Sequence, residues 1–347
     1  MASHSISPSA LEPNAPLTSA AASTTATLLT SSMSKVEQLL TETYTQHSLE
    51  TQVNALCMHV IEAGGKRMRP RLVLLSALAL PHFDVAQDLD NICHIAAAIE
   101  LLHTATLVHD DVIDKAPLRR GKPTLNETAG NHAAVLAGDY LFTRCFNLLQ
   151  RPRNFDVIEE LNRTLSQLVV GELYQLEHEG DVNLSLDVYY ETIYHKTGVL
   201  FELAASAPAL IVEGMEQYQA PLKEFGRQLG ISFQIKDDML DYSADSSTLG
   251  KDAGTDLNDQ RITLPVLMAL KAYERDAHKQ EQLLAAIKTA DLEAVRAAIA
   301  ETHALEQCER QAQQACAAAI SALEVFPPSA AKDELIALCH KAVNRSH

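Results

Sequence analysis

The sequence predicts an all-α protein, and its patterning and composition both support this fold class. Between residues 34 and 344, apolar side chains recur three and four positions apart, as in Ile92, Ile95, Ile99 and Leu102. This is the period of a helix with one buried face, and no convincing run of alternating apolar and polar residues indicates a strand. Ala and Leu are abundant, Trp is absent and aromatic residues make up 5% of the chain, which favours helix over sheet.

Glycine and proline divide this stretch into about ten to twelve helices. The expected breaks lie near residues 64–65, 81, 117–123, 152, 180–183, 214, 243–258 and 327–328. No repeat of fixed period and no linker is visible within residues 34–347. We therefore expect residues 34–347 to form one large helical bundle.

Residues 1–33 differ from the rest, because they are rich in Ser, Thr, Ala and Pro and almost uncharged. They lack the basic start and apolar core of a secretory signal, and they contain none of the arginines of a transit peptide. Such a composition buries too little apolar surface to fold, so we expect residues 1–33 to be a disordered tail.

Composition also excludes several classes of protein. A formal net charge of −17 argues against binding to nucleic acid or to an anionic membrane, since both need a basic surface. No uninterrupted apolar run approaches about 18 residues, so no membrane span is expected. The six cysteines contain no Cys-x-x-Cys pair, which indicates reduced core residues in a cytoplasmic protein rather than disulfides or a zinc site.

An acidic motif follows an apolar helix in residues 107–121. Asp110 and Asp114 are four residues apart and share a helix face, while Asp111 points to the side. His103, seven residues before Asp110, lies on the same stripe. Paired carboxylates one turn apart suit Mg²⁺, which completes its shell with water and phosphate oxygens. The alternative interpretation is a solvated helix end.

A second motif changes the balance between these interpretations. Asp237 and Asp241 again lie four apart on an apolar helix, and Gln234 precedes them by one turn. If both acidic helix ends meet, the facing carboxylates need several divalent cations, which phosphates would bridge. A solvated face explains one such cluster easily but explains two poorly.

Cationic segments accompany both motifs. Residues 64–70 place two glycines before three cations and a helix-starting proline, which favours a phosphate or diphosphate cradle over a solvated basic loop. Arg119 and Arg120 follow the first motif and could bind two anions or pair with its carboxylates. Lys196 and Thr197 precede the second motif but could equally belong to an ordinary helix.

Together these motifs resemble the trans-isoprenyl diphosphate synthases, and the similarity extends from about Leu39 to the C-terminus. Residues 137–144 and 171–176 are similar to the long-chain bacterial branch, octaprenyl diphosphate synthase. One departure is visible. Where the family has Glu-Gly-Lys before Thr-Leu-Pro, this chain has Asp259, Gln260 and Arg261, so the cation is kept and the glycine is lost.

The resemblance implies roles for individual residues. The ligands it implies for isopentenyl diphosphate are Lys66, Arg69, His103 and Arg120. Those it implies for the allylic diphosphate are Arg119, Lys196, Thr197, Gln234 and Lys251. Two or three Mg²⁺ ions per site are expected on Asp110, Asp114, Asp237 and Asp241. The residues expected to act in catalysis are Asp110, Asp114, Lys196, Thr197, Gln234 and Asp237.

The implied reaction is Mg²⁺-dependent, head-to-tail condensation of isopentenyl diphosphate onto an allylic diphosphate such as farnesyl diphosphate. The implied product is octaprenyl diphosphate for a quinone side chain, with seven- or nine-unit products as alternatives, and the implied assembly is a homodimer. Small residues before the first motif should admit a growing chain to a central cavity of the bundle. The expected lining of that cavity is Ala105, Thr106, Phe146 and Leu149. A metal-dependent phosphohydrolase is a further alternative, because residues 109–110 form a His-Asp pair.

Overall fold

The computed structural model describes residues 19–42, 48–243 and 254–345. The α-helices in chain order are α1 (Ser19–Thr41), α2 (Ser48–Glu62), α3 (Met68–Ala79), α4 (Leu89–Ile113), α5 (Leu125–Ala129), α6 (Asn131–Leu149), α7 (Phe155–Glu177), α8 (Leu186–Ile193), α9 (Val199–Ser206), α10 (Gln219–Ser243), α11 (Thr255–Asn258), α12 (Leu264–Ala272), α13 (Ala277–Lys288), α14 (Leu292–Glu301), α15 (Ala304–Ala322) and α16 (Ala330–Asn344). A π-helical turn, Tyr194–Gly198, joins α8 to α9. The all-α prediction is confirmed, although short helices such as α5 and α11 were not expected.

Helix α4 lies at the centre of the bundle and is packed by α1, α3 and α6. It is long and apolar enough to span a membrane by composition alone, but 72% of its apolar window is buried inside the protein. A helix with neighbours on several sides is apolar on several faces, so core packing accounts for this composition. The expected absence of an uninterrupted apolar run of about 18 residues is not contradicted, because Asp90, His94 and Glu100 interrupt the apolar residues of α4.

The expected tail is wrong for residues 19–33, because α1 begins at Ser19. Leu29 and Ser32 are buried, and the same helix continues through the buried Val36 and Leu40. Their spacing places one apolar face of α1 against α3, α4 and α16, and this burial stabilises a segment whose composition alone indicates disorder. Residues 1–18 lie outside the described residues.

The predicted break at residues 117–123 contains the strands β1 (Leu118–Arg119) and β2 (Lys122–Pro123), which pair antiparallel. Gly121 has a φ of +74°, which suits glycine at this tight turn. Strands of two residues are too short to produce an alternating pattern, so the sequence indicated only a loop. All six cysteines are free and buried, as predicted.

Candidate active site

Arg261 and Asp256 connect the acidic end of α4 to α10. The Arg261 guanidinium donates from Nη2 to Asp114 at the end of α4, at 2.5 Å. Its Nη1 lies 3.9 Å from a carboxylate oxygen of Asp256, and the Asp256 backbone N–H donates to Asp241 on α10 at 3.0 Å. The two acidic motifs are thus linked through Arg261 and Asp256.

Asp110 lies beside an ion pair. Lys196 Nζ is 2.9 Å from Oε1 of Glu172 on α7. Burial and, to a smaller extent, the charges of Glu172 and Asp114 together raise the pKa of Asp110 to about 7, against the opposing charges of Lys196 and Arg119. Lys196 belongs to the π-helical turn, a local irregularity that is frequent at functional sites.

A hydrogen-bonded chain joins the π-helical turn to α10. Thr197 Oγ1 donates to Gln234 Oε1 at 2.8 Å, and Gln234 Nε2 donates to Asp238 at 2.8 Å. The Tyr189 hydroxyl donates to the other Asp238 oxygen at 2.6 Å. Burial raises the pKa of Asp238 to about 7, while the bonds from Tyr189 and Gln234 lower it. This chain fixes the amide of Gln234, so Thr197 and Gln234 lie together as expected.

Asp237 has a partner from the far end of the chain. Arg345 Nη2 donates to Asp237 at 3.1 Å and to the Phe233 carbonyl at 2.8 Å. Its guanidinium carbon lies 3.8 Å from the centre of the Phe233 ring, in a cation–π contact. No motif in the sequence indicated that Arg345 would reach the second acidic cluster.

The carboxylates fit a metal only together with another ligand. Within the described ranges, no three His, Cys, Asp or Glu side chains are grouped closely enough to hold a metal ion. Mg²⁺ is usually bound through one or two carboxylates, and water and substrate phosphate complete its shell. The pair Asp110–Asp114, with Asp237 and Asp241 opposite, matches that incomplete donor set.

A second pocket, rich in arginine, lies beside α4 and is formed by the α2–α3 loop, α4 and the hairpin. Burial lowers the pKa of His103 well below its usual value, and nearby arginines lower it further, led by Arg69 and Arg120. His103 is therefore neutral here. A Cβ on Gly65 would lie 2.6 Å from Arg120 Nη1, so the glycine allows the guanidinium to approach the loop.

Few carboxylates balance these arginines. Arg119 Nε donates to the buried Asp111 at 2.7 Å, and Arg67 Nη1 donates to the buried Glu100 at 3.1 Å. Arg69 stacks over Phe201 at 4.6 Å, and its buried Nε has no hydrogen-bond partner among the described residues. The pocket therefore keeps surplus positive charge, which is the condition for binding an anion.

The structure brings together three of the four residues expected at isopentenyl diphosphate, namely Arg69, His103 and Arg120, and Lys66 is exposed on the adjoining loop. Lys251 lies outside the described residues. The expected cavity residues lie on two packed helices. Ala105 and Leu149 are buried, and Thr106 and Phe146 are half-buried.

Sequence reasoning missed several charged residues that complete both pockets, namely Glu100, Glu172, Asp238 and Arg345. Glu100 precedes His103 by three residues, so helical spacing could have found it. Glu172 lies within the motif of residues 171–176, yet its partner Lys196 is 24 residues away on another element.

A helical bundle with two facing carboxylate helices beside an arginine pocket is the all-α isoprenoid synthase fold of prenyltransferases. A model of the polyprenyl synthetase family matches residues 50–302, so the chain belongs to that family and is a prenyltransferase. It is 39% identical to an all-trans-nonaprenyl-diphosphate synthase (geranyl-diphosphate specific) of Rhodobacter capsulatus, over 84% of this chain and 89% of the relative.

The chain is also 36% identical to octaprenyl diphosphate synthase of Escherichia coli K12, over 84% of this chain and 90% of that protein. Among solved structures, it is similar to a polyprenyl synthase from Caulobacter crescentus complexed with calcium and isoprenyl diphosphate. The TM-score is 0.84 and the identity 34%, covering 96% of this chain and 100% of the other.

Proposed function

We propose that the protein is a long-chain trans-polyprenyl diphosphate synthase that adds isopentenyl diphosphate repeatedly to an allylic diphosphate, with farnesyl diphosphate as starter. The single observation that carries this proposal is the placement of two oppositely charged pockets along one helix. The arginine pocket beside His103 suits one diphosphate, and the facing aspartates from Asp110 to Asp241 suit a second diphosphate bound through cations.

The reaction begins at the acidic side of α4. Asp110, Asp114, Asp237 and Asp241 would hold two or three Mg²⁺ ions, which would supply positive charge to offset the negative charge of the departing diphosphate. Lys196 and Arg119 hold the same diphosphate through charge-assisted hydrogen bonds while the allylic C–O bond breaks. The resulting allylic cation lies near the oxygen dipoles of Thr197 and Gln234, which stabilise it.

The second substrate is held on the arginine side. Arg69, Arg120 and Lys66 bind the diphosphate of isopentenyl diphosphate, and the neutral His103 donates a hydrogen bond. The double bond attacks the allylic cation, a C–C bond forms, and a proton passes to the released diphosphate. The product is one isoprene unit longer and can react again.

Octaprenyl diphosphate, for a quinone side chain, is the product we propose. The similarity to an octaprenyl diphosphate synthase supports it, and the similarity to a nonaprenyl enzyme makes nine units the main alternative. The free, buried cysteines fit the reducing cytoplasm.

A homodimer is the proposed assembly, because apolar side chains are exposed at helical spacing on α6 and α7. Leu136 is 63% exposed, Val169 and Val170 are each 55% exposed and Leu173 is 61% exposed. On α7 the exposed Val169, Val170 and Leu173 share one face of the helix, and exposed apolar faces of this kind mark protein interfaces. Sedimentation equilibrium tests the assembly, and a mass of one 37.9 kDa chain would contradict it.

The phosphohydrolase alternative has little support in the site. The His109 ring packs edge-on against Phe142 at 5.5 Å, and its Nε2 lies 3.1 Å from the Val135 carbonyl oxygen. The ring therefore serves the contact between α4 and α6.

The experiment that tests the function is incubation of purified protein with farnesyl diphosphate, labelled isopentenyl diphosphate and Mg²⁺, with products sized by chromatography. A ladder that ends at eight units supports both the chemistry and the product. A ladder that ends at another chain length supports the condensation reaction but contradicts the proposed eight-unit product. No incorporation, or release of phosphate without isopentenyl diphosphate, would overturn the proposal.

A further inference from the structure

Residues 171–176 form a motif to which the mechanism above gives no role. Gly171 lies on the face of α7 that packs against the π-helical turn. A Cβ at this position would be 2.8 Å from His195 Cβ and 3.0 Å from the Lys196 backbone nitrogen. Only glycine allows this approach without displacing the turn, so α7 and the backbone of Lys196 are in direct contact.

The other side of the π-helical turn is equally close to α10. A Cβ on Gly230 of α10 would lie 2.7 Å from the Gly198 Cα. The turn is therefore held between two helices through backbone contacts at glycines. Because π-helical geometry is rarely stable by itself, this packing explains why the turn persists and why Lys196 and Thr197 both face the site.

Glu172 follows Gly171 directly and provides the side-chain contact to the same turn. Lys196 Nζ lies 2.9 Å from its Oε1 and 3.2 Å from its Oε2. Both side chains are about one quarter exposed, at 25% for Lys196 and 23% for Glu172. A lysine ammonium on a flexible stem needs such a partner to keep one position.

Asp110 is one group towards which Lys196 would otherwise turn. The charges of Glu172 and Lys196 both act on Asp110, with opposite sign. If Glu172 were neutral, the ammonium would gain by pairing with the other carboxylates on which its charge acts, Asp259 and Asp110, of which Asp110 is one that the metal needs. Glu172 thus keeps the ammonium beside the first acidic motif without letting it block that motif.

We propose that Glu172 is a positioning residue, which holds Lys196 ready for the diphosphate of the allylic substrate and keeps it away from Asp110. The inference rests on the proposed function. It concerns one substrate only, because Glu172 and Lys196 lie at the acidic side of α4, whereas the arginine pocket receives isopentenyl diphosphate.

The test is a double-mutant cycle with Glu172→Gln, Lys196→Gln and the double variant, each assayed for both substrates. Glu172→Gln should lower kcat/KM for farnesyl diphosphate about ten- to a hundredfold, the range of one lost charge-assisted interaction. The KM for isopentenyl diphosphate should stay within about twofold, because the arginine pocket is unchanged. In the Lys196→Gln background, Glu172→Gln should have no further effect.

Glu177→Gln, an exposed carboxylate at the end of the same helix, is the matched control and should behave as wild type. Calorimetric binding of inorganic pyrophosphate with Mg²⁺ gives a readout independent of turnover, and Glu172→Gln should weaken it several-fold. If wild type binds pyrophosphate but transfers no prenyl group, the proposed function fails while this binding comparison still tests Glu172.

Two results would overturn the role of Glu172. One is an active wild type with Glu172→Gln unchanged in both kinetics and pyrophosphate binding. The other is a Glu172→Gln substitution that lowers kcat/KM for farnesyl diphosphate equally in the wild-type and Lys196→Gln backgrounds. This result would mean that Glu172 acts through another group. If the ion pair were merely structural, Glu172→Gln would lower the thermal unfolding midpoint and would change the kinetic parameters for both substrates alike.

Discussion

Two regions of opposite charge lie along α4, and they achieve their charge in different ways. Around His103, several arginines are collected, and the carboxylates that pair with them in the described part of the chain are the buried Glu100 and Asp111 and the partly exposed Glu37. At the end of α4 the aspartates dominate, and cations from distant segments, Arg261 and Arg345, pair with them.

The difference indicates how each pocket would select its ligand. Gathering like charges destabilises a fold, so such clusters persist where a ligand later neutralises them. The arginine pocket retains surplus positive charge for an anion. The aspartate side carries cations that a metal and a diphosphate could displace, and these cations come from segments distant in the sequence.

The largest effect is expected from Asp110→Ala. Removing a carboxylate that the proposed metal needs should lower turnover by about a thousandfold or more, because stabilisation of the leaving group is lost. Steady-state incorporation of labelled isopentenyl diphosphate measures this, and circular dichroism should show a retained fold. Asp156→Ala, at an exposed aspartate of α7, is the control, and near-normal turnover of Asp110→Ala would refute the metal role.

Arg119→Gln should reduce both stability and kcat/KM for the allylic diphosphate that Arg119 is proposed to bind. It removes the charged partner of the buried Asp111, and breaking a buried ion pair costs about 3 kcal/mol. Urea unfolding of the single variant and of Asp111→Asn/Arg119→Gln measures the change. The double variant should recover part of the loss, and equal stability of wild type and Arg119→Gln would show that the pair is dispensable for folding.

Arg120→Gln should instead affect binding, because Arg120 approaches the glycine loop rather than a carboxylate. We expect the KM for isopentenyl diphosphate to rise about tenfold to a hundredfold, with the KM for farnesyl diphosphate within about twofold. Arg275→Gln, an exposed arginine outside both pockets, is the control. A rise in both KM values would contradict the separation of the two pockets.

Ala105→Tyr tests whether the growing chain passes beside α4 below the aspartates. Ala105 is fully buried one turn before Asp110, so a ring here would occupy that path, at a packing cost of about 1–3 kcal/mol. The product should become shorter in the chromatographic assay, whereas Thr143→Ser, at an exposed position of α6, should leave it unchanged. An active Ala105→Tyr variant with the original product length would exclude this path.

The smallest effect is expected from Gln260→Gly, at the position where the family pattern has glycine. Gln260 has a φ of +56°, a left-handed conformation that is unfavourable for residues with a Cβ. Glycine should raise the unfolding free energy by about 0.5–1 kcal/mol in thermal or urea unfolding. Ala290→Gly, at a φ of +52° away from the site, is the matched control. A loss of stability at residue 260 alone would mean that the glutamine side chain holds the loop.

Local sequence was sufficient to predict the all-α fold class and the arrangement of side chains within each acidic motif. Helical period alone places Asp110 with Asp114, and Asp237 with Asp241, on common faces, because four residues make about one turn. Gly65 before the cations predicted the cradle that Arg120 approaches. The composition of residues 19–33 gave a wrong prediction of disorder, because burial of one face of α1 stabilises this segment as a helix.

Long-range pairing was decided by the tertiary structure alone. Arg261 and Asp114 are 147 residues apart, and Arg345 and Asp237 are 108 apart. Many arginines and carboxylates in the chain could have paired, and side-chain charge alone does not choose among them. The choice depends on where α4, α10 and α16 end once their apolar faces are buried. The sequence by itself therefore determined the helices and the chemistry of each motif, whereas packing determined which charges meet.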